Sequence, residues 1–592
     1  METRKARVLP SLLLALMLSC LPFGVHSNYH ESKIHYHDFI VDLSPYIRLC
    51  KTKNILTVNG QFPGPTLHAR RGDTMVVNVH NNASHNITIH WHGVILQCNP
   101  WADGASYITQ CPIQRGHNHT YRFVLSKEQG TFWWHAHNHA ARATVHGAII
   151  VSPRPFSKSQ NPFPVPHGQM PIILGEWWNG DVMEVYREAV EMGGHPVHSD
   201  AYTINGQPGY LYPCSKSETF KMSVEQGRTY LLQIINAAMD EQFFFSIAQH
   251  QMTLVRIDGS NTKALATDYI MISPGQAMDV LIEASQPSGY YVMAASAFDN
   301  GMGSMGHMIA MDSMSFMGPM TAQTVTTAFL QYTGSPCSPP SSPTLPSLPA
   351  YNDSLAANNF TSHLANHRKN LEFYLRDVEE HLFFTLSANL INCGAKKTCE
   401  GEMGMMNKAS INNISFVKPR VDVLQAYYYG LHGVYDEDFP GEPPLKFNYT
   451  GMNMMNKRLW EPEMGTKVKV LEYNTLVELV FQGTSVVSGE SHPMHLHGHR
   501  FYVVGWGPGN FDPEKDPLHY NLNNPPQVST VAVPKNGWTA IRFRANNPGV
   551  WLLHCHFEHH QSVGMSMVFI VQNGTWKSQR ALSPPPRDMP AC

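Results

Sequence analysis

The stretch Leu553-His554-Cys555-His556 runs on through Phe557-Glu558-His559-His560 and closes with Gly564-Met565. On an extended strand successive side chains point to opposite faces, so His554 and His556 look one way and Cys555 the other. One strand can therefore serve two metal centres, a thiolate centre on one face and an imidazole centre on the other. Cys555 with His560, one further His and a weak thioether from Met565 is the ligand set of a blue-copper electron-transfer site.

Four His-x-His pairs bear on the second centre: His90/His92, His135/His137, His495/His497 and His554/His556. Among 33 histidines about two such pairs arise by composition alone. His35/His37 and His117/His119 share the spacing without supporting context and read as surface residues. Placement raises the other four, because they fall at corresponding points of an internal repeat, two in its first copy and two in its third. Eight converging imidazoles suit three copper ions, and His492, Cys555 and His560 suit a fourth. Zinc also takes His, yet it needs neither eight of them nor a Cys between two. Such an assembly accepts electrons singly at the thiolate centre and can collect those needed to reduce O₂ by four.

The elements that position these residues read as strands. Pro 42 and Gly 43 punctuate short Val/Ile/Thr/Tyr/Phe runs, which predicts an all-β chain. At 592 residues it exceeds one core. Gly130 precedes His135 by five residues, Gly549 precedes His554 by five, and Gly289 precedes Ala294 by five. His495-Leu496-His497-Gly498-His499 aligns with Ser246-Ile247-Ala248-Gln249-His250. Three β-sandwich copies follow, the middle one without ligands. The boundaries predicted are a first module over 28–153, a second over 170–332, a Pro/Ser-rich linker over 333–370 and a third module over 371–592, with a short helix near 362–382.

Residues 1–27 read as a signal peptide: Arg4, Lys5 and Arg7, then apolar Leu9–Leu21, then Val25-His26-Ser27. No other stretch is long and apolar enough to span a bilayer. A net charge of -3 recommends neither nucleic acid nor a membrane surface as partner. Of ten cysteines, Cys20 leaves with the signal and Cys555 is reserved for metal, so eight remain for disulfides. Sequons at Asn82, Asn86, Asn118, Asn352, Asn359, Asn413, Asn448 and Asn573 agree with secretion.

From about His35 to Cys592 the chain resembles the multicopper oxidases, and among them the plant laccases. The likeness is carried by Asn59-Gly60-Gln61-Phe62-Pro63-Gly64-Pro65, Ile89-His90-Trp91-His92-Gly93, Trp101-Ala102-Asp103-Gly104, Trp133-Trp134-His135-Ala136-His137 and Ser491-His492-Pro493-Met494-His495-Leu496-His497-Gly498. It implies three consecutive cupredoxin-like Greek-key domains and four copper ions. His90 and His495 would hold type 2 copper. His92, His135, His137, His497, His554 and His556 would hold the type 3 pair. His492, Cys555 and His560, with Met565 axial, would hold type 1. It further implies Asp103 and Glu558 as acids near the cluster, where O₂ reduction consumes protons; the plainer reading makes each a carboxylate that orients a His. The disulfides implied are Cys111–Cys592 and Cys50–Cys214. Cys393 and Cys399 are close enough in sequence for a local bridge, and Cys98 and Cys337 stay unassigned.

The activity implied is one-electron oxidation of phenolic donors, lignin precursors or other cell-wall phenolics, by a secreted enzyme of the plant apoplast. Ascorbate oxidase and a ferrous or cuprous oxidase are the rival activities; a copper-binding extracellular protein without turnover is the non-enzymatic one. Met565 favours the rival oxidases, since plant laccases commonly carry Leu there. The complete ligand sets argue against a protein without turnover. His139 and His559 read as neighbours of ligands. Met302, Met305, Met308, Met311, Met314, Met317 and Met320 recur at every third residue. That ladder reads either as a Cu(I)-binding segment or as a loop of adaptable apolar side chains.

Overall fold

The turn-punctuated strand signals become six sheets. Two are built from residues 34–152, two from 168–332 and two from 380–571. The computed structural model describes residues 32–154, 161–299, 301, 324–394, 399–453, 455–575 and 581–592. The predicted signal segment and the Met302–Met320 ladder lie outside the described residues. Ile34–Cys592 packs as one unit. No helix among the described residues is long and apolar enough to cross a membrane.

The internal repeat is visible in strand register. In the first sandwich Ile89–His92 pairs antiparallel with Gly130–Ala136, and His90 stands opposite His135. In the third, His492–Leu496 pairs with Gly549–Cys555, and His495 stands opposite His554. In the second, Gln242–Ile247 pairs with Tyr290–Phe298, and Ser246 stands opposite Ala294. One cross-strand position thus carries an imidazole pair twice and a Ser/Ala pair once.

The His-bearing strands are buried on both faces. Alternation sends Trp91, between His90 and His92, into the first sandwich core against Phe123 at 4.8 Å, while Trp134 packs on Phe39 at 4.6 Å. The imidazoles face the other way, toward the third sandwich. A strand with two dry faces fits the continuous apolar run Gly549-Val550-Trp551-Leu552-Leu553 that leads into His554.

Helices are few and short. Val182–Met192 was not anticipated, although its signals are present: Asp181 accepts from the Met183 N–H at 2.9 Å and Gly193 closes the helix at φ 73°. The helix predicted near 362–382 is instead two pieces, Ser354–Ser362 and Glu372–Leu375. Asp353 caps the first of them through the Ala356 N–H.

Three disulfides form, Cys50–Cys214, Cys111–Cys592 and Cys393–Cys399. Cys98 and Cys337 stay outside them. Cys111 follows the Asp103–Thr109 loop, so its bridge to Cys592 ties that loop to the chain terminus. A third potential ligand cluster, Cys111, Asp422 and Cys592, is this disulfide beside a helix cap, with Asp422 accepting from Gln425 N at 2.8 Å. Because the bridge spans 481 residues, Cys111→Ser should lower unfolding stability by about 2–5 kcal/mol. Thermal unfolding of Cys111→Ser beside the parent protein measures it; an unchanged midpoint refutes a stabilising bridge.

Candidate metal centres

Eight imidazoles meet where the first and third sandwiches touch. The rings of His92 and His495 stack at 3.7 Å and those of His90 and His497 at 4.0 Å. His92 and His556 lie 4.8 Å apart, His137 and His554 5.3 Å, and His135 and His556 5.5 Å. All eight are buried. Donor nitrogens of seven of them fall into overlapping sets that span no more than 4.8 Å: His90/His495/His497, His90/His92/His135 and His137/His497/His554. His556, whose ring nitrogens face Arg142, joins none of these sets.

Burial first, then the neighbouring charges, holds His92, His135, His137, His495, His554 and His556 far below the usual histidine range. Neutral rings have a lone pair to offer, which is what a metal requires.

The chain fixes which nitrogen offers it. Nδ1–H donates to Asp103 O from His90, to Ala136 O from His135, to Ser529 O from His495 and to Cys555 O from His554, each at 2.8 Å. His497 Nδ1 donates to Asp103 Oδ2 at 2.8 Å. These contacts turn Nε2 inward. His92 is reversed: its Nε2 lies 3.0 Å from Thr530 Oγ1, and its Nδ1 faces His135 Nε2 at 3.4 Å. Inside the cluster the Nε2 atoms of His90, His137 and His495 are buried without a hydrogen-bond partner. Buried polar atoms are normally satisfied; orphan nitrogens aimed at one another fit bound metal ions.

On the other face of the same strand, Cys555 Sγ lies 3.4 Å from His560 Nδ1 and 3.9 Å from His492 Nδ1, with the two His nitrogens 3.3 Å apart. Met565 is fully buried, and its carbonyl accepts from Cys555 N at 3.1 Å. Cys and two His, beside a buried methionine whose backbone is hydrogen-bonded to the Cys, suit copper over zinc.

Asp103 sits behind two cluster ligands, with Oδ2 on His497 and Oδ1 3.3 Å from His90 Nδ1. Burial would raise its carboxyl, yet the two imidazoles hold it well below the usual range. Gly104 makes the close approach possible: its φ is +79° and a Cβ would meet Ile89 O at 1.9 Å. Glu558 begins the short helix Glu558–Ser562. Burial pushes its carboxyl up to about 7 against the pull of Arg142 and Lys418. It lines a small cavity with His135, His137, Arg142 and Lys418.

The structure adds residues that the spacing of ligands did not reveal. Glu490 Oε2 lies 2.7 Å from His560 Nε2 as an ion pair, which leaves Nδ1 for the thiolate side. Burial opposes that carboxylate, but His560 holds it down at about 2. Arg142 is buried, its Nη1 2.5 Å from His556 Nδ1 and its Nη2 on Met239 O and His556 O. The second sandwich lacks ligands but braces their supports. Asp258 Oδ2 accepts from Ser529 N at 2.9 Å and Thr530 N at 3.2 Å, and Gln276 Nε2 donates to Thr530 O at 3.1 Å. Glu490 stands two residues before His492, a visible signal; Asp258 and Gln276 are more than 200 residues from the loop they hold and left none.

His139 is exposed, and His559 packs on His195 at 5.0 Å; neither joins a ligand set. The surface reading of His119 is corrected. It is 1% exposed because its Nδ1 donates to Asp588 O at 3.0 Å and its ring packs on Tyr121, with the C-terminal segment as cover.

Asp103→Asn keeps the shape but removes the anion that fixes His497. It should reduce copper occupancy of the cluster about 10–100-fold at limiting copper and leave the thiolate colour in place. Copper analysis beside the absorption spectrum checks this; full occupancy refutes an orienting role.

Multicopper oxidase profiles match residues 41–155, 168–335 and 438–575. Laccase-14 of Arabidopsis thaliana is 52% identical over 95% of this chain and 95% of that protein. Laccase-3 of Oryza sativa subsp. japonica is 46% identical over 98% and 99%. Among solved structures, the Botrytis aclada laccase superposes with a TM-score of 0.69 at 25% identity, covering 94% of this chain and 90% of that one. Fet3p, a multicopper oxidase that functions in iron import, shares the fold with a TM-score of 0.69 at 22% identity, over 91% and 90%. The chain belongs to the multicopper oxidase family, among its plant laccases.

Proposed function

We propose that His492, Cys555 and His560, with Met565 beside them, would hold type 1 copper and form the electron entry. His90 and His495 hold type 2, and His92, His135, His137, His497, His554 and His556 hold the type 3 pair. The donors are phenolics of the cell wall, lignin precursors among them, and the enzyme works in the plant apoplast after residues 1–27 are removed. Copper, when bound, supplies one-electron acceptance from the donor and four-electron reduction of O₂ to water. The carrying observation is that Cys555 joins one ligand set while its neighbour His554 joins the other, and the His556 ring lies 4.8 Å from His92 beside that second set, so one short segment of chain links both centres covalently.

The other side chains have definable parts. Glu490 and Asp103 hold a proton-free acceptor against His560 and His497, which fixes the ring nitrogen each presents. Glu558, beside Arg142 and next to the His137 end of the cluster, is an acid near neutral pH. It can deliver protons inward from the cavity that it shares with Lys418 and Gln561. Arg142 holds the His556 ring and carbonyl and brings a guanidinium to that side of the cluster.

Oxygen uptake with a simple phenol, compared with ascorbate, ferrous and cuprous ions, separates the laccase reading from its rivals; a preference for ascorbate or a metal ion overturns it. Cys555→Ser should abolish the blue colour and lower phenol turnover by roughly 10²-fold or more, since it removes the entry ligand. Near-normal turnover would sink the assignment. Glu558 has a pH signature. Its carboxyl is protonated below about 7 and deprotonated above, so proton delivery fails as pH rises through that value. Glu558→Gln, which cannot release a proton, should lower kcat by about 10²-fold and flatten that limb of the profile. An unaltered profile would leave Glu558 with a structural role only.

A further inference from the structure

Away from both centres, the three sandwiches enclose a cavity of about 650 Å³. Its wall takes Lys127 and Gln129 from the first, Ser260 and Asn261 from the second, and Arg500, Tyr502 and Arg544 from the third. Arg71 and Arg368 complete five cations, and among the described residues no Asp or Glu lines it. The whole chain carries a net charge of -3, so this concentration of cations is local. Arg500 is the central member. Its Nε and Nη2 are buried with no hydrogen-bond partner, and its guanidinium lies over Phe132 at 5.2 Å. Glu128 and Asp258 face Arg500 and offset its charge, but their oxygens accept from backbone N–H groups instead. Glu128 accepts from Ile95 and Lys127, and Asp258 from Ala277, Ser529 and Thr530, so those guanidinium donors stay unmet. A buried guanidinium with unmet donors calls for an anionic acceptor.

The rest of the wall narrows the chemistry. Asn261, Asn366, Gln527 and Asn546 offer amides suited to hydroxyl groups, and Tyr374 and Tyr502 offer flat faces. Tyr374 is 65% exposed at the mouth. An inorganic ion would fill a small part of this volume, which matches a multi-ring ligand. Carboxylates, hydroxyls and sugar-ring faces occur together in a uronic-acid oligosaccharide. None of the eight sequon asparagines lines the cavity, so an attached glycan does not start inside it. We infer that this inter-domain cavity is a binding site for an acidic, uronate-containing saccharide, with Arg500 and Arg368 as its carboxylate partners. The choice of a saccharide among anions rests on the extracellular location proposed above.

Calorimetric titration of the copper-loaded full chain with a trimer of galacturonic acid tests the site at low ionic strength. The methyl-esterified trimer and inorganic phosphate are the comparison probes. Saturable binding of the free-acid trimer is expected, weakened about tenfold or more by the ester and by salt. Arg500→Gln and, because that side chain is largely buried, the exposed Arg368→Gln should each weaken it about tenfold. Phenol turnover should stay unchanged in Arg368→Gln. No binding of the trimer, equal binding of the ester, phosphate binding as tight as the trimer's, or affinity untouched by both variants overturns the site. An intracellular protein that still bound the trimer would overturn the location and leave the site standing.

Discussion

Eight imidazoles must stay neutral, dry and aimed at common points, and most of the architecture around the cluster answers that requirement. A ring removed from water has two nitrogens to satisfy, and a metal takes only one. For five of the rings the other is given to an oxygen supplied by a neighbouring strand or turn: Asp103 O, Ala136 O, Ser529 O, Cys555 O and Thr530 Oγ1. Position therefore depends on where the backbone runs, and small backbone shifts would rotate ligands. This makes the tight Asp103–Gly104 turn and the Ser529–Thr530 segment as consequential as the histidines.

That dependence explains a ligand-free middle sandwich. Asp258 and Gln276 clamp the backbone on either side of Ser529 and Thr530, and Gly275 lies so close to the cluster that a Cβ would meet His556 at 2.9 Å and His92 at 3.1 Å. Gly275 O also accepts from Trp133 Nε1 at 3.3 Å, and Trp133 packs against His135 at 4.3 Å. The second module thus exchanged ligands for supports. Its Ser246/Ala294 pair occupies the cross-strand position that holds His90/His135 and His495/His554 in its neighbours.

The candidate ligands were legible in the sequence because His-x-His spacing and strand alternation are local and periodic. The cross-strand equivalences were legible because the repeat preserves the five-residue offset from Gly130, Gly289 and Gly549. The supports were not, since Asp258 reaches Ser529 across 271 positions and Arg142 reaches His556 across 414. No periodicity announces a contact made by the packing of modules. His119 failed for the same reason: a surface reading from its own strand cannot include the Asp588 segment that covers it. Helix Val182–Met192 carried a local cap at each end, but its neighbourhood of strand-like runs outweighed them.

Three buried carboxylates show how environment divides labour among identical groups. Asp103 and Glu490 each face imidazole N–H donors, so the charged form is held and each acts as a fixed acceptor. Glu558 accepts from Ser562 Oγ at 3.1 Å and has Arg142 only at 3.7 Å, so burial dominates and it keeps a proton near neutrality. A carboxylate that must orient a ligand cannot also titrate near working pH without releasing that ligand. Of these three carboxyls only Glu558 touches no candidate ligand nitrogen, so the proton supply proposed above falls to it, and on that reading holding metal and moving protons are separated by residue.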